Sequence, residues 1–347
     1  MPPEPPLSAL RLDIDSDALA ANWRALDRLS QNASAGAAVK ANAYGLGAPL
    51  VVRTLHDAGC RDFFIAHWCE YADLHGLVEP GRVSVLHGPM TAEEAGYAKS
   101  IGVKPVINTL HQAQLWLAAG GGPCDLMVDT GMNRLGLSLS ELGDETVQDL
   151  QIDVLMSHLA SAEENVPLNE VQRKRWVEAR TRLQHRRSSL CNSAGIVLGE
   201  AYHGELTRPG LSLYGGIQRR ELEAHIRQVA RPMAAILQVR EIDAGESVGY
   251  NATFVAERAM RVGTVALGYA DGYLRCWSAK GAVLAGGQRL PVLGRVSMDL
   301  IGIDLTNAPH LNEGDWVEAE YSLPDASLVS GLSQYELLTA LGLRFSR

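Results

Sequence analysis

Residues 36–47 read Gly-Ala-Ala-Val-Lys-Ala-Asn-Ala-Tyr-Gly-Leu-Gly. A short apolar run, Ala37 to Val39, ends on Lys40 and passes at once into a glycine-punctuated turn. That is the pattern of a buried strand delivering one amine at its carboxyl end. Lysine is rarely buried without a task. The chain has four other lysines: Lys99, Lys174 and Lys280 in helical or loop-like polar contexts, and Lys104 at the start of a strand. Lys40 is thus the one poised for chemistry. A desolvated amine loses basicity and can add to a carbonyl or an aldehyde cofactor. These residues alone leave open a lysine that simply snorkels to water.

Working outward, short apolar runs at about 36–40, 62–67, 83–88, 104–108, 124–129, 153–159, 188–192 and 206–213 alternate with helix-like segments at 47–59, 92–101, 109–118, 140–150 and 169–185. Eight strands alternating with helices point to a (β/α)₈ TIM-like barrel. The rival is a doubly wound open sheet, but no G-x-G-x-x-G fingerprint follows the first strand. A barrel carries its reactive residues at the carboxyl ends of its strands. Lys40, Arg134, His158, Asn192-Ser193 and Arg208-Pro209-Gly210-Leu211 fall at or just after such ends. Taken singly, His158 reads equally as a structural histidine and Ser193 as a helix N-cap.

From about Pro232 the texture changes to alternating β-branched segments split by glycine and proline turns, at 234–242, 247–256, 260–268, 282–303 and 315–322. This predicts a mostly β C-terminal domain over 229–347 after a barrel over 15–228, with a strand in 1–14 pairing with the C-terminal domain. Gly286-Gly287 has hairpin character.

Several segments together resemble the alanine racemases. Val39-Lys40-Ala41-Asn42-Ala43-Tyr44-Gly45 is similar to that family's pyridoxal-phosphate lysine motif, and the likeness continues along nearly the whole chain. The resemblance implies that Lys40 holds pyridoxal 5'-phosphate, while Tyr44, Ser193, Gly210, Leu211 and Tyr335 hold its phosphate. It places Arg208 against the ring nitrogen. Arginine has no acceptor and keeps its proton, so such a nitrogen stays unprotonated and the ring withdraws electrons weakly. Racemisation needs acid/bases on both faces of Cα. Lys40 serves one, and Gly249-Tyr250-Asn251-Ala252-Thr253-Phe254 resembles the segment carrying the opposing tyrosine, which the family supplies from the partner subunit of a head-to-tail homodimer. A phenol ordinarily titrates near pH 10, so Tyr250 needs a positive neighbour; the resemblance implies His158 hydrogen-bonded to Arg208.

Asp129-Thr130-Gly131-Met132-Asn133-Arg134-Leu135-Gly136 resembles the loop whose arginine forks onto the substrate carboxylate. Arg295-Val296-Ser297-Met298-Asp299 resembles the segment whose Met-Asp backbone approaches it, with Met298 again from the partner, and Gly268-Tyr269-Ala270-Asp271-Gly272 the segment lining the entrance. Read without the family, Arg208 could bind a strand-end carboxylate, Tyr250 could be a strand aromatic and Tyr335 a core one. Two positions depart from the pattern. Met127 stands where many members carry a carbamylated lysine that steadies the arginine, and Leu46 replaces a common histidine.

The 347 residues suffice for two domains, and 46% hydrophobic with 20% charged residues is an ordinary globular composition. A net charge of −9 gives no basic footprint for nucleic acid or an anionic membrane. The amino-terminal Met-Pro-Pro-Glu-Pro-Pro lacks the charged and apolar regions of a signal peptide. Cys60, Cys69, Cys124, Cys191 and Cys276 show no metal-ligand spacing. The expectation is a cytoplasmic alanine racemase supplying D-alanine for peptidoglycan. Rival readings are a serine or broad-spectrum racemase of the same fold, a barrel decarboxylase, or a non-catalytic barrel that binds pyridoxal phosphate.

Overall fold

The computed structural model describes residues 8–346, so the first seven residues of the 1–14 segment lie outside it. Two units divide the chain: Ser16–Arg227, and the N-terminal residues through Asp15 together with Gln228 onward. Strand β1 (Leu10–Ile14) belongs to the second unit.

In the first unit, a helix at Ser16–Leu29 precedes β2 (Ser34–Ala35) and β3 (Ala37–Ala38). There follow β4 (Phe63–Ile65), β5 (Val83–Val85), β6 (Lys104–Ile107), β7 (Pro123–Met127), β8 (Gln151–Met156), β9 (Arg187–Ser189) and β10 (Leu206–Thr207). Strands β3 to β9 form one sheet in sequence order, every pairing parallel. β10 pairs in parallel with β2, the Gly36 and Ala38 amides donate to the carbonyls of Thr207 and Pro209 (both 2.9 Å), and the Arg208 amide donates to Cys191 (3.0 Å). These bonds join the last strand segment to both the first and the seventh, which is the closure of a (β/α)₈ barrel.

Burial on both faces explains the short apolar runs. Phe64, Val106, Met127, Val154, Met156 and Leu206 form one buried cluster, while their neighbours Ile107, Leu126 and Leu155 join another with Trp116 and Ala179 of the flanking helices. Side chains thus alternate between barrel interior and helix layer with the strand period of two. The helices at Ala92–Ile101 and Leu110–Ala118 start on Thr91 and Thr109, whose hydroxyls accept the Glu94 and Gln112 amides. The expected helix over 140–150 is instead a 3₁₀ turn at Leu139–Gly143 and a short helix at Glu145–Gln148, divided at Asp144, whose side chain caps the second.

The amino ends of the strands carry a buried ion network. Lys104 Nζ donates to Asp153 at 2.6 Å and to Asp125 at 3.2 Å, Arg186 pairs with Asp153, and Arg187 forks onto Asp62 at 2.7 and 2.9 Å. Lys104, expected at the start of a strand, opens β6 and is 5% exposed, a second lysine held inside the barrel. Burial by itself lowers the Lys104 pKa, but Asp125 and Asp153 outweigh it and raise it. Burial alone would raise that of Asp153, yet Arg186, Lys104 and Arg187 hold it well below the usual carboxylate range.

In the second unit, β1, β11 (Ala230–Ile242), β14 (Met260–Val265), β17 (Ile301–Asp304), β16 (Gln288–Leu293), β15 (Ala282–Ala285) and β18 (Trp316–Ala319) form a sheet in that order, and β11 also pairs with β18. β1 runs antiparallel to β11 from Leu10↔Ala234 to Ile14↔Ala230. Gly286 (φ 57°) and Gly287 (φ 84°) form the two-residue turn between β15 and β16, the doubly left-handed geometry that favours a Gly-Gly pair. The expected strand at 247–256 is broken into β12 (Ser247–Val248) and β13 (Phe254–Val255) by a turn at Tyr250–Ala252. Tyr250 is therefore a turn residue. Helices at Leu323–Ser330 and Gln334–Thr339 had no counterpart among the expected elements.

Candidate active site at the mouth of the barrel

Strand β3 ends at Ala38, two residues earlier than expected, because the chain reverses hand. Ala41, Asn42, Ala43 and Tyr44 all have φ between 53° and 56°, a full left-handed turn beginning just after Lys40. Such a conformation costs L-residues other than Gly about 1–2 kcal/mol each, with Asn the most tolerant, so the fold must hold it. The Ala43 amide donates to Val39 (2.9 Å), the Gly45 amide to Ala41 (2.9 Å) and the Ala48 amide to the Asn42 side chain (2.8 Å). From the loop after β4, the Glu70 carboxylate accepts the amides of Ala41 (2.5 Å), Ala66 (2.6 Å) and His67 (3.1 Å). Lys40 emerges half-buried. Burial and the Arg134 charge lower its pKa, and Glu70 opposes them.

Arg208 follows β10 and is 7% exposed. Its guanidinium donates to the Ser189 hydroxyl and the Ser157 carbonyl. Among the described residues, no carboxylate lies within ion-pair distance of it. Burial pulls its pKa down to about 10, which still leaves a cation at neutrality. Arg208 does not bond to His158, contrary to the expectation. Burial, with the charges of Arg208, Arg134 and Lys40, pushes His158 down to about 3. That favours the neutral imidazole, so the positive charge around it rests with Arg208, Arg134 and Lys40.

Ser193 does not cap its helix. Asn192 does, accepting the Gly195 amide at 3.0 Å. The Ser193 hydroxyl instead accepts the amides of Gly210 (2.9 Å) and Ser212 (3.2 Å). Tyr44 stacks on Tyr214 with centroids 4.7 Å apart, and a Cβ added at Gly210 would lie 2.4 Å from the Tyr44 phenol oxygen. Only glycine allows that approach. Leu211 opens the turn Leu211–Tyr214, so hydroxyls and backbone amides of Ser193, Tyr44, Gly210 and Leu211 gather in one place. The donor set suits a phosphate, and the buried guanidinium nearby suits a neutral ring nitrogen.

Arg134 is exposed on a tightly held loop. Asp129 accepts the amides of Gly131, Met132 and Asn133 at 2.8, 2.9 and 3.1 Å, while Gln172 donates to the Thr130 hydroxyl and the His158 carbonyl. Met127 lies inside the barrel in the apolar cluster, so this backbone scaffold steadies the loop without any cation at position 127.

The second unit carries the remaining candidates. The Tyr269 and Ala270 amides donate to Ser297 (3.0 Å) and Met298 (2.9 Å), and a Cβ at Gly249 would lie 3.8 Å from the Arg295 backbone. The segments bearing Tyr250, Tyr269, Met298 and Asp299 are thus neighbours. Tyr250 and Met298 are 66% and 53% exposed. The Asp299 side chain pairs with Arg344, which also binds Asp271. Tyr335 is half-buried on its own short helix.

The expectations missed Glu70, whose signal was a His-x-x-Glu capping pattern straight after the apolar run of β4. They also missed Lys104 as a structural lysine, because its partners lie 21 and 49 residues away.

A (β/α)₈ barrel with an amine of lowered basicity at its mouth, a buried arginine without a carboxylate partner among the described residues and a cluster of hydroxyls and backbone amides fits a barrel enzyme of the pyridoxal-phosphate class. The chain belongs to the alanine racemase family: residues 14–218 match the model of the alanine racemase N-terminal domain and residues 229–347 that of its C-terminal domain. It is 41% identical to an alanine racemase of Methylobacterium nodulans, over 97% of this chain and 95% of that protein. It is 38% identical to the biosynthetic alanine racemase of Agrobacterium fabrum, over 97% and 93%. The crystal structure of alanine racemase from Bartonella henselae with covalently bound pyridoxal phosphate superposes with a TM-score of 0.90 at 34% identity, covering 99% of both chains. That of the biosynthetic enzyme from Pseudomonas aeruginosa gives 0.87 at 35%, again over 99% of each.

Proposed function

We propose that this chain interconverts L- and D-alanine by a two-base proton transfer at the barrel mouth, in a homodimer whose two sites each draw residues from both subunits. The observation that carries the reading is Arg208, a buried guanidinium without a carboxylate partner. An uncompensated buried cation is expensive and persists where an acceptor is to be met. Pyridoxal phosphate, when bound, supplies an aldehyde for an amine and a ring that draws electrons from the substrate's Cα.

The residues divide the work. Lys40, its basicity lowered, holds the aldehyde and, once free, takes or returns the Cα proton on one face. The Tyr250 phenol serves the other face from the partner subunit, with the positive charge of Arg208 favouring its anion. Arg208, which has no acceptor and keeps its proton, would keep the ring nitrogen of the bound cofactor unprotonated and so disfavour transamination and decarboxylation. Gln172, bonded to the Thr130 hydroxyl and the His158 carbonyl, stiffens the loop wall, and His158 lies close to the charge of Arg208. Ser193, Tyr44, Gly210, Leu211 and Tyr335 hold the phosphate. Arg134 forks onto the substrate carboxylate, which the Met-Asp backbone at the partner subunit's Met298 also approaches, while Tyr269 lines the way in. Among the described residues no helix is long and apolar enough to cross a membrane; we place the enzyme in the cytoplasm, supplying D-alanine to peptidoglycan.

The protein incubated with pyridoxal phosphate and L-alanine, L-serine or L-lysine should yield D-alanine fastest. Faster D-serine would favour the broad-spectrum alternative, and no D-enantiomer despite cofactor bound at Lys40 the non-catalytic one. Lys40→Ala and Tyr250→Phe homodimers should each be inactive. After subunit exchange, a mixed dimer keeps one site with both native bases and should recover toward half of wild-type activity. Verified mixed dimers that stayed inactive, while wild type survived the same exchange, would put Tyr250 out of the shared-site role.

A further inference from the structure

We infer that Glu70 is the positioning residue of the active lysine: its carboxylate clamps the left-handed turn Ala41–Tyr44 and so aims the Lys40 amine into the barrel mouth. The inference rests on the reading of Lys40 as the amine that meets the cofactor. It adds a residue that lies outside every segment on which that reading was built.

Three features converge on Glu70. Its two oxygens accept three backbone amides from two separate strand-end loops, Ala41 after β3 and Ala66 and His67 after β4. Two separate loops are thereby tied through one side chain. The residue it grips first, Ala41, opens a run of four consecutive left-handed non-glycine residues, a conformation found where the surroundings over-determine it. Within the turn, the Ala41 amide has no acceptor of its own: the intra-turn bonds begin with the Ala43 amide. Without Glu70 the Ala41 amide loses its acceptor, and only the Gly45 amide on the Ala41 carbonyl is left to hold the first residue after Lys40, so the aim of the amine loosens. Ala41 is itself exposed, so no packing of its side chain holds it there. Charge matters as well as shape, because a carboxylate accepts stronger hydrogen bonds than an amide. A glutamine offers one good acceptor oxygen where three donors converge.

The test uses the full chain. Pyridoxal phosphate is added to cofactor-free protein, the adduct is trapped with borohydride, and the labelled lysine and its rate of labelling are read by mass spectrometry. Thermal unfolding, kcat and KM are measured in parallel. Glu70→Gln should slow labelling of Lys40 by at least about tenfold and lower kcat comparably, with KM within about threefold. Glycine occupies the left-handed region without the Cβ penalty, so adding Ala41→Gly to Glu70→Gln should restore at least half of the lost labelling rate. A residue that merely stabilised the β4 loop would not be rescued from position 41. If Glu70→Gln fails to fold, Glu70→Asp, whose shorter arm cannot span both loops, takes its place. Labelling of Glu70→Gln within twofold of wild type, or a loss that Ala41→Gly leaves untouched, overturns the inference. Wild-type protein left unlabelled at Lys40 would instead overturn the reading of the site, and the inference with it.

Discussion

The two ends of the barrel each hold a lysine in a restricted place, and the fold treats them in opposite ways. At the amino end, Lys104 meets Asp125 and Asp153, and those acids are shared with Ser84, Arg186 and Arg187 until nearly every charge has a partner. At the carboxyl end, Lys40 faces Arg134, and Arg208 is buried among hydroxyl and carbonyl oxygens with no counter-ion among the described residues. The two lysine pKa values accordingly move in opposite directions, Lys104 up and Lys40 down. Paired charges make an inert plug. Unpaired ones make a site that still has something to bind.

That contrast can be broken from either side. Replacing the carboxyl-end lysine should have the largest effect: Lys40→Ala is expected to lower alanine racemisation by at least about a thousandfold with little change in melting temperature. Steady-state assay beside a thermal melt checks it, and a comparable loss of stability would make Lys40 a structural residue. At the other end, Lys104→Met strands the buried Asp125, while Asp153 keeps Arg186 and Arg187, and should cost about 3–5 kcal/mol of stability. Its kcat per folded molecule should stay within about threefold of wild type. Denaturant titration with active-site counting separates the two quantities.

Reversing the sign at Arg208 should be milder on rate and more telling on chemistry. Arg208→Glu favours a protonated ring nitrogen, so racemisation should fall roughly a hundredfold while the yield of pyruvate from alanine rises. An unchanged product ratio would remove Arg208 from that role.

The smallest effect lies in acid. Because the folded pKa of Asp153 is depressed, its contribution to stability is present above the unfolded carboxylate value of about 4 and is lost as pH falls toward its folded value. The stability gap between wild type and Asp153→Asn should therefore be flat above about pH 5 and shrink below about pH 4. A gap that widened in acid would give Asp153 the wrong sign.

Much of this architecture was legible in the chain because burial writes itself into short apolar runs. Phe63-Phe64-Ile65 and Lys104–Ile107 fall inside the expected strands, and the helix at Ala92–Ile101 starts and stops at its threonine cap and its glycine. What failed was set by long-range partners or by backbone hand. The run 206–213 shrinks to Leu206–Thr207, and the chain turns at Leu211–Tyr214 straight after Gly210, which packs against the Tyr44 phenol. Alternation across 247–256 conceals a turn at Tyr250 that begins on Gly249 (φ 78°). The helices at 323–339 carry a mixed apolar pattern that gives no clear period. At the mouth, residue identities stood out, but the left-handed turn runs against local propensity, and the His67–Glu70 capping pattern gives no sign that Glu70 also reaches Ala41, 29 residues away.

The claim that joins these observations is that only the unpaired end of the barrel is chemically available. It is tested by adding pyridoxal phosphate to the cofactor-free chain, trapping the adduct with borohydride, and reading all five lysines in one digest. Lys40 should carry the label at near stoichiometry, with Lys104 unmodified behind its two carboxylates. Label on Lys104, or label spread over the surface lysines with Lys40 spared, would contradict it.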